Sequence, residues 1–441
     1  MFKTLRNAFS IPEIRKKMLY TLLMLLIFRM GCAVVVPFLD TDVVKTWMAS
    51  NASDGNFLEY LDILTGGALS NATVFSLSIT PYINASIIMQ LLTYALPPLE
   101  RMRDEGEEGQ KKLNRITAAV AMALAAFMSF AYYLTLKNQM NAVTDGGSTA
   151  ANVFIGFVIV MSFIAGTSIV VWMGNRINDK GIGNGISMLL FAGILARFPV
   201  YVGRLWDLTL NEPQRYFFES LAVLVLFVVM IAFIVFMNAS ERRIPIQYAK
   251  RVVGRKQYGG QSTHIPVKVC MSGVMPIIFA MSFMSLPSTI SLFKPVYTDP
   301  DGFWQKFYNG FINFFNTRSL SYAVIYFILI IAFNYFYVAI QYNPVEIANN
   351  LRKNNGAIPG IRPGKPTSDY IQRVLSKITL VGAFFLGVIA IMPIFLVMAD
   401  QNLGSLAMGG TTVLIVVSVA LETVRTLESE MMMRHHKGFL E

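Results

Sequence analysis

The chain has 441 residues, of which 54% are hydrophobic and only 14% are charged. A soluble chain carries about 25% charged residues, so the composition excludes a soluble globular protein and favours a polytopic membrane protein. The net charge of +11 is typical of a membrane protein whose inside loops are rich in lysine and arginine. The two cysteines and three histidines have no spacing that predicts a disulfide framework or a metal site.

A basic start precedes the first apolar segment. The lysines and arginines between Lys3 and Lys17 predict that Phe2–Tyr20 forms an amphipathic helix on the inner membrane surface. The apolar run that follows is long and is not followed by a small-residue cleavage site. We therefore expect a retained first span rather than a cleaved signal.

Ten apolar segments reach the length of about 20 residues that a helix needs to cross the hydrocarbon core. An even number of spans places both termini on one side of the membrane. Three basic stretches then lie on the same side as the termini: the N-terminal tail and the loops 238–265 and 343–375. By the positive-inside rule, this side is cytoplasmic. The predicted spans are residues 18–38, 74–97, 116–136, 152–173, 185–203, 217–237, 266–292, 320–342, 376–398 and 408–427.

Five spans in each half give the two halves opposite orientations, as in inverted-repeat membrane proteins. The sequence thus predicts an N-terminal half at 18–203 and a C-terminal half at 217–427, joined by an external hinge loop at 204–216. A cytoplasmic N-terminus, 1–17, and a cytoplasmic tail, 428–441, flank the halves. In such proteins the working site lies between the halves.

Two of the predicted spans are interrupted. Within Tyr60–Leu96, small and polar residues from Gly66 onward precede an apolar helix that contains Pro81. This early stretch either folds into the bundle or is an ordinary outside loop that leads to a kinked span. The seventh span contains Pro276 and Pro287. Paired interrupted helices in opposite halves indicate a central pathway.

Charged residues are rare within the predicted spans. Arg29 lies about halfway through the first span, where a lone arginine costs roughly 2.5–3.5 kcal/mol on insertion scales, so it should face the bundle or a partner helix. The pair Gly364-Lys365 does not form a phosphate loop, because Pro359 and Pro366 replace the required residues. Metalloprotease and serine-hydrolase motifs are also missing from the sequence. We therefore predict no catalytic residues, no metal, no cofactor and no enzymatic activity.

Several long motifs point to one family. They include Gly-Ile-Gly-Asn-Gly at Gly181–Gly185 and Gly-Ile-Arg-Pro-Gly at Gly360–Gly364, together with Met271-Ser-Gly-Val-Met-Pro and Asn343-Pro-Val-Glu-Ile-Ala-Asn-Asn-Leu. Over essentially its whole length the chain resembles the SecY/Sec61-alpha family of protein-translocation channels. The resemblance implies an all-α polytopic membrane protein. Its ten transmembrane helices would form two inverted five-helix halves around a central hourglass pore with a plug and a lateral gate.

The resemblance also implies roles for particular residues. A ring of apolar side chains at the waist of the pore would block ions by dewetting; it comprises Ile83, Ile87, Ile186, Leu190, Ile278 and Ile415. The plug would be a short helix at Leu64–Val74 that includes Leu64, Gly66, Gly67, Ala68, Leu69 and Ser70. The second and seventh spans would form the lateral gate, with polar contacts from Asn84, Ser86, Gln90 and Ser282. Docking of a motor or ribosome would use Arg362, Arg255, Lys256, Arg242 and Arg243. From the residue pattern alone, packing is the better explanation of the apolar residues, and topology determination is the better explanation of most of the basic ones.

The implied function is a passive conduit for secretory polypeptides across the plasma (inner) membrane and, through the lateral gate, for the insertion of membrane proteins. The implied partners are SecE-like and SecG-like small membrane subunits, the SecA motor ATPase, the ribosome, signal-sequence-bearing polypeptides, membrane lipid, and YidC or SecDF. The alternative is a secondary transporter of a small solute, which shares inverted halves and interrupted helices but predicts a polar pocket at the midplane. A membrane-embedded hydrolase or insertion scaffold is a third reading, which the missing catalytic residues disfavour.

Overall fold

A helix of the structure lies over each of the ten predicted membrane spans. The computed structural model describes residues 2–51, 62, 65–211, 213–248, 251–253, 256–258, 262–293, 302–316, 319–399 and 410–435. The helices of the first half are α1 (Phe2–Ser10), α2 (Pro12–Gly31), α3 (Thr41–Asn51), α4 (Thr80–Ala95), α5 (Pro97–Asp104), α6 (Glu107–Asn138), α7 (Thr149–Lys180) and α8 (Gly185–Asn211). The span helices among them are α2, α4, α6, α7 and α8.

The second half contains strands as well as helices. Its elements are α9 (Pro213–Ala239), β1 (Glu241–Tyr248), β2 (Arg251–Val253), β3 (Lys256–Tyr258), β4 (Ser262–Lys268), α10 (Met275–Phe293), α11 (Phe303–Phe314), α12 (Leu320–Gln341), α13 (Pro344–Lys353), β5 (Gly356–Ala357), α14 (Lys365–Ala399) and α15 (Gly410–His435). Its span helices are α9, α10, α12, α14 and α15.

Six stretches of helix within the described residues are both long and apolar enough to cross a membrane. They are Glu107–Asn138, Thr149–Lys180, Gly185–Gly203, Ser220–Ala239, Leu320–Lys353 and Lys365–Met392, and Met275–Met284 is a shorter apolar stretch at the beginning of α10. Two of the remaining span helices depart from this pattern for reasons that the structure shows. Helix α2 begins among basic residues, and α4 has only 16 residues because irregular backbone precedes it.

The N-terminal prediction of one surface helix over Phe2–Tyr20 needs correction. The chain breaks at Ile11, before Pro12, into α1 and α2, because proline favours the first position of a new helix. Helix α1 packs on α2 and α15, and its Ala8 is fully buried in a cluster with Ile14 and Leu427. Lys17 pairs with Glu430 at 2.7 Å. Helices α1 and α2 are therefore packed against α15 within the described residues.

Other predicted boundaries also differ from the structure, and the helix of the first span ends at Gly31 rather than at residue 38. Residues 204–211, expected in the hinge loop, continue α8, and α9 begins at Pro213, so helix covers nearly all of that loop. The helix of the second span begins at Thr80 rather than at residue 74. The helix of the seventh span begins at Met275 rather than at residue 266, because residues 262–268 form strand β4. Alternation of apolar and polar residues in that stretch suits a strand with one buried face.

The two long basic loops fold together as a small antiparallel sheet. Its strand order is β4–β1–β5, so a strand from the second loop joins two strands from the first. One face of the sheet packs on α13 and α14 through an apolar cluster that includes Ile244, Ile246, Leu351 and Ile371. The two basic loops, which the sequence predicts as separate, therefore form a single folded unit, because their apolar residues bury one another.

The helices form two groups that meet along two seams. In the first half α2 packs on α7 and α8, and α6 packs on α4 and α7; in the second half α12 packs on α10 and α14, and α15 packs on α9 and α14. Along one seam α8 contacts α9 and α15, and along the other α10 contacts α4 and α6. Many large apolar side chains, such as Leu224, Val228 and Phe236 on α9, remain exposed on the outside of the bundle. Such a surface suits lipid rather than water.

The turn between α7 and α8 requires close backbone contact. Asn178 accepts a hydrogen bond from the Gly185 amide through its Oδ1 at 2.7 Å, and Thr21 accepts one from the Ile182 amide through its hydroxyl at 3.0 Å. A Cβ atom at Gly185 would collide with the carbonyl oxygen of Gly174. The motif Gly181–Gly185 therefore packs α8 directly against α7.

We expect Gly185→Ala to destabilise the fold by about 1–3 kcal/mol, because the added methyl group forces two helices apart. Gly203→Ala is the matched control, since it lies in the same helix and a Cβ there has open space. The measurement is thermal unfolding of both variants in detergent. Equal midpoints for the two variants would contradict this account of the motif.

Candidate functional site

Residues 65–79 carry irregular backbone into the helical bundle. They run through consecutive turns, and most of their side chains are buried. The carbonyl of Val74 lies against Gly166, about halfway along α7, which places this segment near the middle of the bundle. Of the two alternatives that the sequence left open, the structure thus has the one in which this stretch enters the bundle. We call residues 65–79 the inserted segment.

The predicted plug, Leu64–Val74, falls mostly within the inserted segment. Leu64 lies outside the described residues. Gly67, Ala68 and Leu69 are buried, and Gly66 and Ser70 are partly buried. The expected short helix is not found over residues 65–74, where φ is positive at Gly66 and Gly67 (69° and 90°). Positive φ is incompatible with a regular right-handed helix.

Hydrogen bonds from the surrounding helices and loops satisfy the backbone of the inserted segment. Its carbonyls at Gly66, Leu69 and Ala72 accept bonds from the Arg29 guanidinium (3.1 Å), the Tyr132 hydroxyl (3.1 Å) and the Val36 amide (3.0 Å), respectively. Its Val74 amide donates to the Val34 carbonyl at 2.9 Å. Arg29, for which the sequence named no partner, therefore binds the backbone of the inserted segment.

A buried ion pair joins the same region to α8. Arg197 pairs with the carboxylate of Asp62, and their side chains are only 19% and 9% exposed. Ser70 connects the two: its amide donates to Asp62 Oδ1 at 2.7 Å, and its hydroxyl accepts from Arg197 Nη2 at 3.1 Å. A buried pair adds little net stability, but removal of one partner leaves an uncompensated charge and costs about 3–5 kcal/mol.

The six residues of the predicted apolar ring fall into two groups. Ile83, Ile186 and Leu190 belong to an apolar cluster of the first half, together with Ala68 of the inserted segment. Ile278 and Ile415 belong to a cluster dominated by the second half, and Ile87 is buried on α4. Helix α8 contributes to both clusters, so it lies between them.

The predicted lateral gate lies along the seam of α4, α6 and α10. The contact of α10 with α6 extends the seam beyond the second and seventh spans. Gln90 donates to the Ser86 hydroxyl at 3.2 Å within α4, so this pair is bonded along one helix rather than across the seam. Asn84 has a buried Oδ1 that accepts no hydrogen bond from the described residues, and Ser282 is partly buried.

An aromatic contact crosses between the halves near this seam. The rings of Tyr94 on α4 and Phe336 on α12 meet edge to face, with centroids 5.8 Å apart. The guanidinium of Arg103 lies 4.8 Å from the centroid of the Tyr94 ring. Aromatic pairs of this kind contribute about 0.5–1.5 kcal/mol beyond area burial, so the contact adds a small stabilisation between the two halves.

The predicted docking residues are spread over the small sheet and the loop after it. Arg362 is exposed, while its neighbours Ile358 and Ile361 pack into the cluster beneath the sheet. The Thr367 hydroxyl donates to the Arg362 carbonyl at 2.8 Å, which fixes this loop. Arg242 and Arg243 are exposed at the start of β1, roughly 15 Å along the strand from its pairing with β5. Arg255 and the side chain of Lys256 lie outside the described residues.

Comparison with known proteins gives consistent matches over the whole chain. The family model described as SecY matches residues 73–424. A protein of Thermotoga maritima named protein translocase subunit SecY is 40% identical over 100% of this chain and 98% of its own length. A protein of the same name from Streptomyces scabiei is 38% identical over 100% of both chains. The chain belongs to the SecY family.

Solved structures share the fold of this SecY family member. One is described as a protein-conducting channel, and another as a SecY whose plug domain stabilises the closed state. Each aligns with a TM-score of 0.64 at 18% identity, over 97% of this chain and 96% of the solved chain. Sec61 in a canine ribosome-channel complex aligns with a TM-score of 0.62 at 18% identity and the same coverage.

Several residues of this site were missed by the sequence-based prediction. Arg197 was not singled out although it lies within a predicted span, and its partner Asp62 lies outside every predicted span. An ionisable residue within a membrane span is a functional candidate by default, so Arg197 could have been found. Tyr132, Tyr94 and Phe336 gave no such signal, because aromatic residues are common in membrane spans.

We expect Arg197→Ala to release the inserted segment, because Asp62 then has no cationic partner. Hydrogen–deuterium exchange should rise in peptides covering residues 65–79 and stay unchanged in α6 and α7. The double variant Asp62→Asn/Arg197→Ala should recover part of the protection, since it removes both charges. Unchanged exchange in Arg197→Ala would show that the ion pair does not hold the segment.

Proposed function

We propose that this SecY family member is a protein-conducting channel subunit. The observation that carries the proposal is the inserted segment: irregular backbone near the middle of a bundle of two helix groups, with its side chains packed in two apolar clusters of the first half. Irregular backbone at membrane depth is tolerated only inside protein or along a water-filled cavity. The names of the curated relatives and the descriptions of the solved structures support the same function.

In this proposal the plug is the stretch Leu64–Val74, most of which lies in the inserted segment. It blocks the pathway in the resting state and leaves when a polypeptide enters. Its contacts suit that role, because they are buried apolar side chains, a few hydrogen bonds and one nearby ion pair rather than the regular interface of a long helix. Ile83, Ile87, Ile186, Leu190, Ile278 and Ile415 then form an apolar constriction that excludes ions but deforms around a chain of any sequence.

The seam of α4, α6 and α10 is the lateral gate. Signal sequences and nascent membrane spans leave the channel there for lipid. Asn84, Ser86, Gln90 and Ser282 lie on helices of this seam. A hydrogen bond that one of them forms across the seam during gating would be weak enough to open, because hydrogen bonds between membrane helices average only about 0.6 kcal/mol. The Tyr94–Phe336 contact closes the gate near the end that carries the basic loops.

The channel itself performs no catalysis, and partners supply the energy. The basic sheet and the Arg362 loop dock the ribosome or a SecA-type motor ATPase; Arg255, Lys256, Arg242 and Arg243 assist. SecE-like and SecG-like subunits complete the complex, with YidC or SecDF as further partners. The protein lies in the plasma (inner) membrane with both termini cytoplasmic, as the basic loops favour.

We expect Arg362→Glu to reduce translocation several-fold, because the exposed arginine is replaced by a charge that repels phosphate-rich or acidic partners. Arg373→Glu is the matched control, since it makes the same charge change at an exposed site on the adjacent helix α14. The measurement is ATP-dependent protease protection of a signal-bearing precursor in vesicles containing the chain, its small subunits and the motor ATPase.

Three outcomes distinguish the readings of this experiment. Protection that drops for Arg362→Glu but not for Arg373→Glu supports both the channel and its docking loop. Equal losses for both variants would mean that general loop charge, not the Arg362 loop, matters. No protection with the folded wild-type chain would reject the channel and favour a small-solute transporter.

We expect a crosslink between cysteines at positions 94 and 336 to block release of membrane spans into lipid, because it ties α4 to α12. The variant is Tyr94→Cys/Phe336→Cys in a background with Cys32→Ala and Cys270→Ala. The measurement is membrane integration of a nascent span before and after treatment with a bifunctional thiol reagent. A monofunctional reagent is the control, and normal integration after complete crosslinking would place the gate elsewhere.

A further inference from the structure

Helix α11 (Phe303–Phe314) is amphipathic and exposes its aromatic face. Phe303, Phe307, Phe311 and Phe314 recur at helical spacing along one face, and Trp304 lies beside them. All five are exposed, with Phe303 and Trp304 at 77% and 78%. A row of large exposed aromatic side chains marks an interaction surface.

The polar residues of α11 lie on its other side. Gln305, Lys306, Asn309 and Asn313 occupy the arc opposite the aromatic row, given 100° per residue. Lys306 and Asn313 are exposed. Helix α11 thus has an aromatic face and a polar face of similar width, which is the pattern of helices that lie in a membrane surface.

The end of α11 is fixed at the end of a membrane span. The Phe314 carbonyl accepts hydrogen bonds from the hydroxyls of Ser319 (3.2 Å) and Ser321 (2.9 Å), and Ser319 caps α12 through the Tyr322 amide at 3.1 Å. This end of α12 is opposite the basic loops, since α12 runs from Leu320 towards α13 and the sheet. The hydrogen bonds therefore hold α11 at the height where α12 enters the membrane.

The aromatic face continues the lipid-facing surface of the bundle. Leu320, Val324 and Ile328 form an exposed apolar row along α12, beginning at the level of the Phe314 carbonyl. Helix α11 also contacts α10, so it bridges the outer ends of two span helices. Lipid that covers the row on α12 therefore reaches the aromatic residues of α11.

We propose that α11 is a membrane-surface anchor whose aromatic face is buried in the lipid headgroup and acyl-chain boundary on the side opposite the basic loops. Such helices bury their apolar face about 5–10 Å below the surface. Tryptophan and phenylalanine suit this depth because their rings are large and apolar, and the indole N–H still reaches water. The anchor fixes the height of α10, the helix that faces α4 and α6 across the seam.

Trp304 can report this contact directly. The chain has four tryptophans, Trp47, Trp172, Trp206 and Trp304, so three substitutions to phenylalanine leave Trp304 alone. The single-tryptophan chain is placed in vesicles of phosphatidylcholine and phosphatidylglycerol whose acyl chains are brominated either near the headgroup or near the methyl end. We expect strong fluorescence quenching by the shallow bromines, weaker quenching by the deep ones, and protection from aqueous acrylamide.

Two matched charge variants test separately whether the aromatic face and the polar face of α11 contact lipid. Phe307→Glu places a charge in the aromatic face and should shift Trp304 emission to longer wavelength with loss of bromine quenching. Asn313→Glu adds the same charge to the polar face and should change neither. Correct folding of each variant is checked by elution of a single monodisperse species in detergent.

Other results would overturn the proposal. Trp304 that is open to acrylamide and unaffected by brominated lipid faces water. If Trp304 is protected from acrylamide but is not quenched by either brominated lipid, then protein covers it. In these vesicles that protein would be a second copy of the chain. Equal effects of Phe307→Glu and Asn313→Glu would mean that the aromatic face has no special contact with lipid.

Discussion

The inserted segment is possible only because the protein itself satisfies its backbone. Lipid offers no hydrogen bonds, so an irregular stretch among membrane helices must find every partner within the protein. Arg29, Tyr132 and the strand-like residues after α2 supply those partners here. Asp62 and Arg197 add a buried ion pair, and removal of either partner alone leaves an uncompensated charge that destabilises the fold. The segment is thus held by these polar contacts together with the buried apolar side chains that pack around it.

Helix α8 links this arrangement to both halves. It contributes Arg197 to the ion pair, Leu190 to the apolar cluster of the first half and Ile194 to that of the second. Its beginning is packed on α7 through the Gly181–Gly185 turn, and its far end leads almost directly into α9. Movement of the second half away from the first would therefore act on α8 and, through Arg197, on the inserted segment.

The two seams differ in the contacts that hold them. The seam of α8, α9 and α15 includes the short connection between α8 and α9 and continues into the packed chain termini. The other seam has α10 against α4 and α6, with the Tyr94–Phe336 contact beside it. Covalent connection and close packing at the first seam agree with the proposal that the second seam is the side that opens to lipid.

The sequence by itself determined the number of spans, the location of the basic loops and the family. Apolar length and charge bias are local properties, and long motifs such as Gly360–Gly364 are read directly. It missed the breaks at Ile11 and Thr80 and the sheet that joins the two basic loops, because tertiary packing decides them. Only the tertiary structure brought Asp62 to Arg197 and Arg29 to Gly66. These contacts join residues far apart in the chain, and local patterns of hydrophobicity carry no information about which distant groups will meet.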